Sequence, residues 1–556
     1  MWYVGKSLLL LCAVLSLGLG VSGCKKDSGG GSAAPAASSG STTVSASTTT
    51  ISCEAVSGTV WTPDITGASD LNHDASVVVY KDIYTASGLL TGLAQAPVGA
   101  HVITVSGIDM SVDLLAKGSI SLVAEVTGFP SGLSGSAWPV LVSLSDGVHE
   151  FVNFDLAADC AAGFYTCPDG SCTRVAACAP DPEGTLGSAF LGDTSADRRY
   201  NWEQRQRIGT DDYLSVNSFP SCNWADGGCP FKTGSFFDET ARLRAGPGVT
   251  YTAKYVLLTT SYSNVFDGYS AGLKLSVVRK KDSVAGGAID INVILVGTKN
   301  ISDSRTAKGQ QNLNALFTHV YEHFFDNPST IVKLGKITVY EWTCEAGGDL
   351  FSTINVDNIG ALFSSGSALV SSASESKAVN VFLVSSIPGS TSGTILGISG
   401  GIVGSMINAT TSSGVAFSTF DQLATFNPSC TPGSDCLTAS QEASFIDMGG
   451  TISHEMGHFL GLNHLSESAG TAHDRLPDTL SCTTLGVGGT LTRTSCRSEE
   501  PCDSACVGTF CPEISECQFN HVMWWTSKSY DSSGNGDGNI FSTDSGIVVN
   551  HSPYVR

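Results

Sequence analysis

Apolar residues in the carboxyl-terminal half of the chain follow two different periods. Continuous apolar runs at Ile289–Val296, Ile337–Trp342 and Val379–Val384 predict buried strands. Between the first two runs, the apolar residues of Ala307–Phe325 recur three and four positions apart, which predicts a helix. A second helix is predicted over Phe445–Leu462. Strands that alternate with helices favour an α/β arrangement over one twisted, mostly parallel sheet.

The amino-terminal half shows short β-type runs that are separated by turn residues. Asp146–Gly147 lies between two such runs and predicts a hairpin. Residues 51–158 therefore predict a β-sandwich-like domain, and residues 181–285 predict a second β-rich domain. Further strand-like runs are Ser76–Tyr80, Ser119–Val123, Tyr251–Thr260 and Gly272–Lys280.

The first residues of the chain have the pattern of an export signal. Lys6 is the only charge in residues 1–23, and the apolar run Leu8–Leu19 is too short to span a bilayer comfortably. The segment Val21–Cys24 resembles a bacterial lipobox, in which the cysteine is lipidated and becomes the mature amino terminus. The resemblance implies a lipid anchor on Cys24 in a bacterial cell envelope, in the outer membrane if the cell is Gram-negative. Ordinary signal cleavage beside a chance cysteine is the alternative.

Cysteine usage agrees with export to an oxidising compartment. Of the 18 cysteines, Cys12 lies in the signal and Cys24 at the lipidation site, and the remaining 16 are an even number. Eight disulfides of open connectivity are the natural expectation. The net charge of −22 lacks the basic footprint of a nucleic-acid-binding protein, so no nucleic-acid partner is expected.

The sequence thus predicts a multidomain chain. The predicted parts are a lipoprotein signal peptide at 1–23, a Gly/Ser/Thr-rich tether at 24–50, a β-sandwich-like domain at 51–158, a small Cys-rich segment at 159–180, a second β-rich domain at 181–285 and an α/β domain at 286–556.

The strongest chemical signal is the run from His454 to His464, which reads HEMGHFLGLNH. His454 and His458 are four residues apart, so a helix places both imidazoles on one face. Gly461 permits the positive φ that ends the helix, and the turn returns His464 as a third ligand. Three protein ligands leave one position open, as in catalytic zinc sites, and Glu455 lies where it can take a proton from water. The alternative is an amphipathic helix with surface histidines.

This pattern resembles the metzincin clan of zinc endopeptidases, whose motif is HExxHxxGxxH. The resemblance implies one catalytic Zn²⁺ on His454, His458 and His464, with Glu455 as general base and acid, in a metzincin domain over residues 286–556. The clan also has a Met-turn beneath the metal, and Met523 within Asn520–Trp525 matches it best. An ordinary core methionine is the alternative reading of Met523.

Residues 473–546 are similar to the pappalysin branch of that clan. The branch has a disulfide-stapled lower subdomain, often with calcium, and six cysteines follow Thr479 here. It implies Ca²⁺ at Asp474 or Asp478, although solvated loop carboxylates are an equal alternative. Ser542 is predicted to cap a closing helix. Leu480 and Trp525 depart from the branch, which has Pro and Tyr there, so no tyrosine ligand is expected.

A second, weaker motif lies at His319–His323, which reads HVYEH and matches the inverted zinc motif. That motif needs a further downstream Glu ligand. The metzincin resemblance implies that this helix lies behind the sheet and away from the cleft, which favours surface histidines.

These features together predict a surface metalloendopeptidase that cleaves extracellular protein or peptide substrates. By resemblance, the substrate lies extended and antiparallel to an edge strand, for which the Gly-interrupted segment Thr394–Ile407 is the candidate. A surface adhesin or binding module with a non-catalytic metal site is the alternative. Glu455 favours the enzyme, because a structural zinc does not need a general base and prefers a fourth Cys or His.

Overall fold

The structure is a computed structural model. It describes residues 23–25, 79–89, 91–92, 102–110, 118–127, 137–147, 150–153, 165–166, 172–173, 202–208, 212–223, 243–259, 270–280, 287–296, 307–327, 329, 332–342, 351, 353–354, 358–370, 378–388, 395–419, 439–462, 464, 522–523 and 541–555.

Within these residues the strands, in chain order, are β1 Gly23–Lys25, β2 Val79–Leu89, β3 Thr91–Gly92, β4 Val102–Asp109, β5 Gly118–Thr127, β6 Ala137–Ser145, β7 Glu150–Asn153, β8 Tyr165–Thr166, β9 Cys172–Thr173, β10 Trp202–Ile208, β11 Asp212–Asn223, β12 Leu243–Ala245, β13 Thr250–Thr259, β14 Ser270–Lys280, β15 Ala288–Val296, β16 Lys333–Trp342, β17 Ala378–Val384, β18 Ile395–Ser399 and β19 Val415–Ser418. The helices are α1 Ala307–Val320, which continues as a π-helical turn at Tyr321–Phe325, α2 Ile359–Val370, α3 Ala439–Phe459 and α4 Thr543–His551.

Two antiparallel-rich sheets between residues 79 and 280 share one apolar core. The first sheet has the order β10-β11-β5-β14-β2 with β12 beside β11, and the second has the order β3-β13-β6-β7 with β4 beside β13. Alternate residues of β5, such as Ile120 and Leu122, face Tyr251 and Tyr255 of the second sheet in that core. The hairpin predicted at Asp146–Gly147 is confirmed, because β6 pairs antiparallel with β7.

The strands do not divide into the two separate β domains that the sequence predicts at 51–158 and 181–285. Strand β5, from the first region, pairs with both β11 and β14 from the second. Strand β13, from the second region, pairs with β4 and β6 from the first. The two regions form one interleaved pair of sheets, and the local apolar pattern could not reveal it because it identifies a strand without its partner. Between them, β8 and β9 form a small antiparallel pair in the Cys-rich segment.

A mixed sheet organises the carboxyl-terminal part of the chain. Its described strands have the order β1-β18-β19-β17-β15-β16. Strands β16, β15, β17 and β19 run parallel, and β18 is antiparallel to β19. The strands and helices predicted at 289–296, 307–325, 337–342, 379–384 and 445–462 are confirmed, with shifts at their ends.

Helices cover both faces of this sheet. On one face, Ile291 and Val293 of β15 share a core with Leu316 of α1 and Phe445 of α3. On the other face, Ile294 packs with residues of α2, a helix that the sequence analysis did not predict. The alternation along β15 is the two-residue period of a strand that is buried on both sides.

The segment predicted as an edge strand at 394–407 is a strand only in its first part. Strand β18 ends at Ser399, and residues 400–414, most of which are buried, form a loop that leads to β19. Serine and threonine hydroxyls bind backbone carbonyls within this loop, for example Thr410 Oγ1, which donates to Ile407 O at 2.8 Å. Such local hydrogen bonds give the backbone an alternative to strand pairing, which explains why the β pattern stops early.

The sandwich packs directly on the α/β part. Val123, Val216 and Val278 lie on sandwich strands, but they belong to the apolar cluster that contains residues of α1 and α3. Beside them, the ammonium group of buried Lys280 donates to Asn550 O at 2.7 Å and to Ser552 O at 2.9 Å. These carbonyls lie at the carboxyl end of α4, where a cation is favourable.

Candidate metal centre

Helix α3 presents two of the predicted ligands and is buried from Thr451 to its end at Phe459. His454 and His458 lie one turn apart on the same face, as their spacing requires. The apolar residues of α3 belong to the core that it shares with α1 and the mixed sheet; they are Phe445, Met448, Ile452, Met456 and Phe459. The two histidines are therefore carried by a helix that is fixed on several sides.

A Schellman turn ends α3 at Gly461. Gly461 has φ of 114°, a conformation that a side chain would disfavour. Its N–H donates to His458 O at 2.9 Å, and the N–H of Leu462 donates to Gly457 O at 2.9 Å, which is the hydrogen-bond pair of that motif. The turn brings His464 back toward the helix, as the sequence predicts.

The three histidines form one buried cluster that could bind a metal ion. His464 Nε2 lies 3.1 Å from His454 Nε2 and 3.0 Å from His458 Nε2. The three side chains are between 0% and 5% exposed. Among the described residues, no other group of three or more His, Cys, Asp or Glu side chains comes together in this way.

Backbone carbonyls fix which nitrogen of each helix histidine faces the cluster. His454 Nδ1 lies 2.7 Å from Val522 O, and His458 Nδ1 lies 2.7 Å from Leu462 O. A carbonyl oxygen only accepts, so each Nδ1 carries the proton and donates it. The Nε2 atoms of neutral His454 and His458 therefore direct lone pairs toward His464, and partners of this kind are typical of metal-binding histidines.

Protonation of His458 is disfavoured in the folded protein. Burial lowers the pKa of His458 well below its usual value, and the neighbouring His464 and His454 lower it further. The hydrogen bond to the Leu462 carbonyl acts in the opposite direction but does not compensate. His458 is therefore favoured in its neutral form, which is the form that binds a metal ion.

Met523 contacts α3 at Gly457. A Cβ atom on Gly457 would overlap Met523 Sδ, so the absence of a side chain allows the two segments to touch. Met523 is buried, and the preceding residue, Val522, supplies the carbonyl that orients His454. Met523 therefore contacts the helix that carries two of the histidines, and its role as a Met-turn residue stays a prediction.

Glu455 lies on α3 beside the cluster and faces strand β18. Its side chain is buried, and neither carboxylate oxygen has a hydrogen-bond partner of ordinary geometry among the described residues. Burial raises the pKa of Glu455 well above the usual value, while the backbone of Ser399 lowers it to a smaller extent. The Glu455 carboxyl group therefore holds a proton more readily than an exposed glutamate does.

The tail after α4 packs against the carboxyl end of α3, the helix that carries His454 and His458. The Tyr554 hydroxyl donates to Ser405 O at 2.8 Å, and its ring lies 5.1 Å from that of Phe459, the last residue of α3. Ser542 accepts from the Ser545 N–H at 3.0 Å, which confirms its predicted role as the cap of α4. Through α4, the support of α3 extends to Lys280 in the sandwich.

The inverted motif at His319–His323 contributes no ligand to the cluster. His319 and His323 are buried, so the prediction that they lie on the helix surface is wrong. His319 Nδ1 lies 2.7 Å from Glu322 Oε2, and the residue packs against Gly449 of α3. They are buried because α1 lies directly against α3, a contact that the spacing of the motif does not encode.

Several predicted residues lie outside the described part of the chain. They are the candidate calcium ligands Asp474 and Asp478, the departures Leu480 and Trp525, and the six cysteines between Cys482 and Cys517. Cys24, the predicted lipidation site, lies in β1, which pairs antiparallel with β18.

Sequence reasoning missed three contributors to the site. The carbonyls of Val522 and Leu462 orient the histidines, and Gly397 of β18 lies against Glu455. Leu462 could have been inferred from the turn at Gly461. Nothing in the sequence connects Val522 or Gly397 with α3, because both contacts join distant segments.

A scan against protein-family models matched none, and a search of curated proteins gave no significant match. Among the described residues, none of the helices combines the length and the apolar character needed to cross a membrane.

Proposed function

We propose that this chain is a zinc-dependent endopeptidase of the metzincin type that hydrolyses peptide bonds of extracellular protein substrates. The observation that carries the proposal is the convergence of three buried imidazoles, two of them on a helix that also carries a buried carboxyl group, Glu455. The Met-turn position of Met523 and the mixed sheet support the same assignment.

The donor set suits one Zn²⁺ ion. Two zinc–nitrogen bonds of about 2.0–2.1 Å at a tetrahedral angle separate their nitrogens by about 3.3 Å. The separations here are 3.1 and 3.0 Å, so a small outward shift of His464 would admit the ion. Three neutral nitrogen ligands also leave a coordination position for a reactant, which a structural site with four ligands does not.

The ion would supply Lewis acidity, polarising a substrate carbonyl and lowering the pKa of water. Glu455 handles the protons: it accepts one from the attacking water and delivers it to the leaving amine. Its burial suits both roles, because a carboxyl group whose pKa is raised can return the proton that it takes. The carbonyls of Val522 and Leu462 keep the histidines in the tautomer that binds metal.

The outer edge of β18 is the proposed substrate-binding strand. The short strand β1 pairs there antiparallel, with Gly23 opposite Ile398 and Lys25 opposite Ile395. A substrate in that orientation would add main-chain hydrogen bonds beside Glu455. Cleavage before Cys24, as the lipobox resemblance implies, would divide β1 and leave this edge to a substrate.

The envelope location and the additional metal belong to the same proposal. Lipidation of Cys24 and the tether at 24–50 would hold the catalytic part at a bacterial membrane surface. Calcium at Asp474 or Asp478 would be a second, structural ion in the lower part of the molecule.

The test is cleavage of casein or gelatin by soluble protein that begins at residue 25, beside a Glu455→Gln variant, with zinc quantified in both. We expect the wild type to cleave, a chelator to stop it, and the variant to keep zinc but lose activity. If both proteins hold zinc and neither cleaves a broad peptide library, the binding-module alternative replaces the peptidase.

A further inference from the structure

The contact between β18 and α3 leads to an inference about how the proposed general base is held. Ile398 of β18 faces the core on the side of α2, so the neighbouring Gly397 faces the opposite side, where α3 lies. Phe417, the partner of Gly397 on β19, faces that side too and packs in the core with Met456. Gly397 therefore lies between the strand and the metal-binding helix.

The missing side chain of Gly397 is what admits Glu455. A Cβ atom on Gly397 would lie 2.6 Å from Glu455 Cγ, 3.1 Å from Cδ and 3.0 Å from Oε1. Contacts under 3.0 Å do not persist between such atoms, so a methyl group here would force Glu455 to move. Glu455 is 1% exposed and surrounded by packed residues, so its side chain has no open solvent into which it can turn.

We propose that Gly397 is a positioning residue, whose lack of a side chain seats the Glu455 carboxylate under β18 and beside the three histidines. This inference deepens the proposed peptidase function and rests on it for its catalytic consequence. The steric contact itself is independent of any activity. Larger residues at position 397 would displace the base while leaving His454, His458 and His464 in place.

A double-mutant cycle tests the contact without a metal. Glu455→Ala removes Cγ, Cδ and Oε1, the three atoms that a Cβ on Gly397 would meet. In the full chain freed of metal, Gly397→Ala should lower Tm by about 2–4 °C in the wild-type background. In the Glu455→Ala background the same substitution should leave Tm unchanged within the error of the measurement.

Gly272→Ala provides a matched control. Gly272 is also a strand glycine whose Cβ would meet a neighbour, but that neighbour is Thr127 in the sandwich. Gly272→Ala should lower Tm equally with and without the Glu455 side chain. A Gly397 effect that is also equal in both backgrounds would overturn the proposed contact.

The catalytic consequence has its own readout. With zinc restored, Gly397→Ala should retain full zinc content and KM but lose about 100-fold in kcat, since displacements near 1 Å cost that much. Unchanged kcat would overturn the positioning role. If the wild type cleaves nothing, the proposed function fails, and the Tm cycle still decides whether Gly397 seats Glu455.

Discussion

Met523 and Gly457 are in such close contact that a single methyl group on the glycine would overlap the methionine sulfur. Met523 follows Val522, whose carbonyl fixes the ring of His454. The distance between α3 and residues 522–523 therefore affects the orientation of His454, one of the proposed ligands. Any substitution that widens the gap should act on the metal site as well as on packing.

Gly457→Ala should destabilise the protein by about 1–3 kcal/mol, because the added methyl group has no space in a packed core. Denaturant-induced unfolding measures this change. Met523→Ala removes the overlapping sulfur, so the double variant should be more stable than the sum of the two single effects predicts. If the two losses in the free energy of unfolding are strictly additive, the two residues do not interact sterically.

Glu455→Gln should stabilise the metal-free protein increasingly as pH rises. Burial raises the pKa of Glu455 in the folded state above its ordinary value of 4.5, so folding favours the protonated form. The contribution of Glu455 to stability is thus present below that ordinary pKa and is lost as pH rises through the folded-state pKa. Glutamine stays neutral and avoids the loss.

The measurement is the free energy of unfolding between pH 4 and pH 8 for wild type and Glu455→Gln, both treated with a chelator. Parallel curves for the two proteins would contradict a raised pKa. Glu455→Gln is also the variant that is expected to be inactive. A higher stability of this variant would therefore mean that the wild-type residue lowers stability at the position where activity requires it.

His458 should make the metal-free protein sensitive to acid. Its pKa is lowered by burial in the folded state, so the unfolded chain binds a proton more readily from about the ordinary value of 6.5 downward. The stability from this group is present above 6.5 and is lost as pH falls, by up to about 1.4 kcal/mol per pH unit.

Unfolding curves at pH 7.5, 6.5 and 5.5 check this expectation in wild type and in His458→Gln. The glutamine variant should show a shallower loss between 6.5 and 5.5, because it cannot take up that proton. A slope identical to the wild type would assign the acid sensitivity to other groups. Added zinc should shift the wild-type transition upward, since ligand that binds only the folded state stabilises it.

Lys280→Met should destabilise the junction between the sandwich and α4. The variant leaves the carbonyls of Asn550 and Ser552 without the charged donor that they have now, and a hydrogen bond to a charged group contributes about 1.5–3 kcal/mol. Lys254→Met is the matched control, since Lys254 lies on an exposed position of β13.

We expect thermal unfolding to register a clear loss for Lys280→Met and almost none for Lys254→Met. The tail after α4 contains Tyr554, whose ring packs on Phe459 of α3, next to His458. A disturbed tail should therefore disturb the histidines, and the Lys280 variant should also bind zinc more weakly. Equal stability of both variants would mean that the sandwich and the α/β part are only loosely associated.

The local parts of the site could be predicted from sequence because each rests on nearby residues. Spacing alone placed His454 and His458 on one face, and the conformational freedom of Gly461 placed the turn that returns His464. The cap at Ser542 follows from the same kind of local hydrogen bond. Each depends on fewer than a dozen consecutive residues.

The parts that could not be predicted depend on contacts between distant segments. The apolar pattern of β5 identified a strand but could not reveal that β11 and β14 flank it, so two domains were expected where the sheets interleave. His319 and His323 were expected on a surface but are buried. The sequence of α1 does not show that α3 packs against it. No sequence pattern marked Gly397 as part of the site, because its contact with Glu455 forms only when β18 packs against α3.

The interleaving of the two sheets has a kinetic consequence. Strand β2 pairs with β14 so that Val79 faces Lys280, 201 residues further along the chain (280 − 79). Pairings over such separations are slow to form, because the intervening chain must first be brought together. Strand β2 therefore stays without this partner until β14 is available, whereas the β6–β7 hairpin can form earlier. Aggregation of the exposed strand, or its protection by a chaperone, would affect the yield of folded protein during that interval.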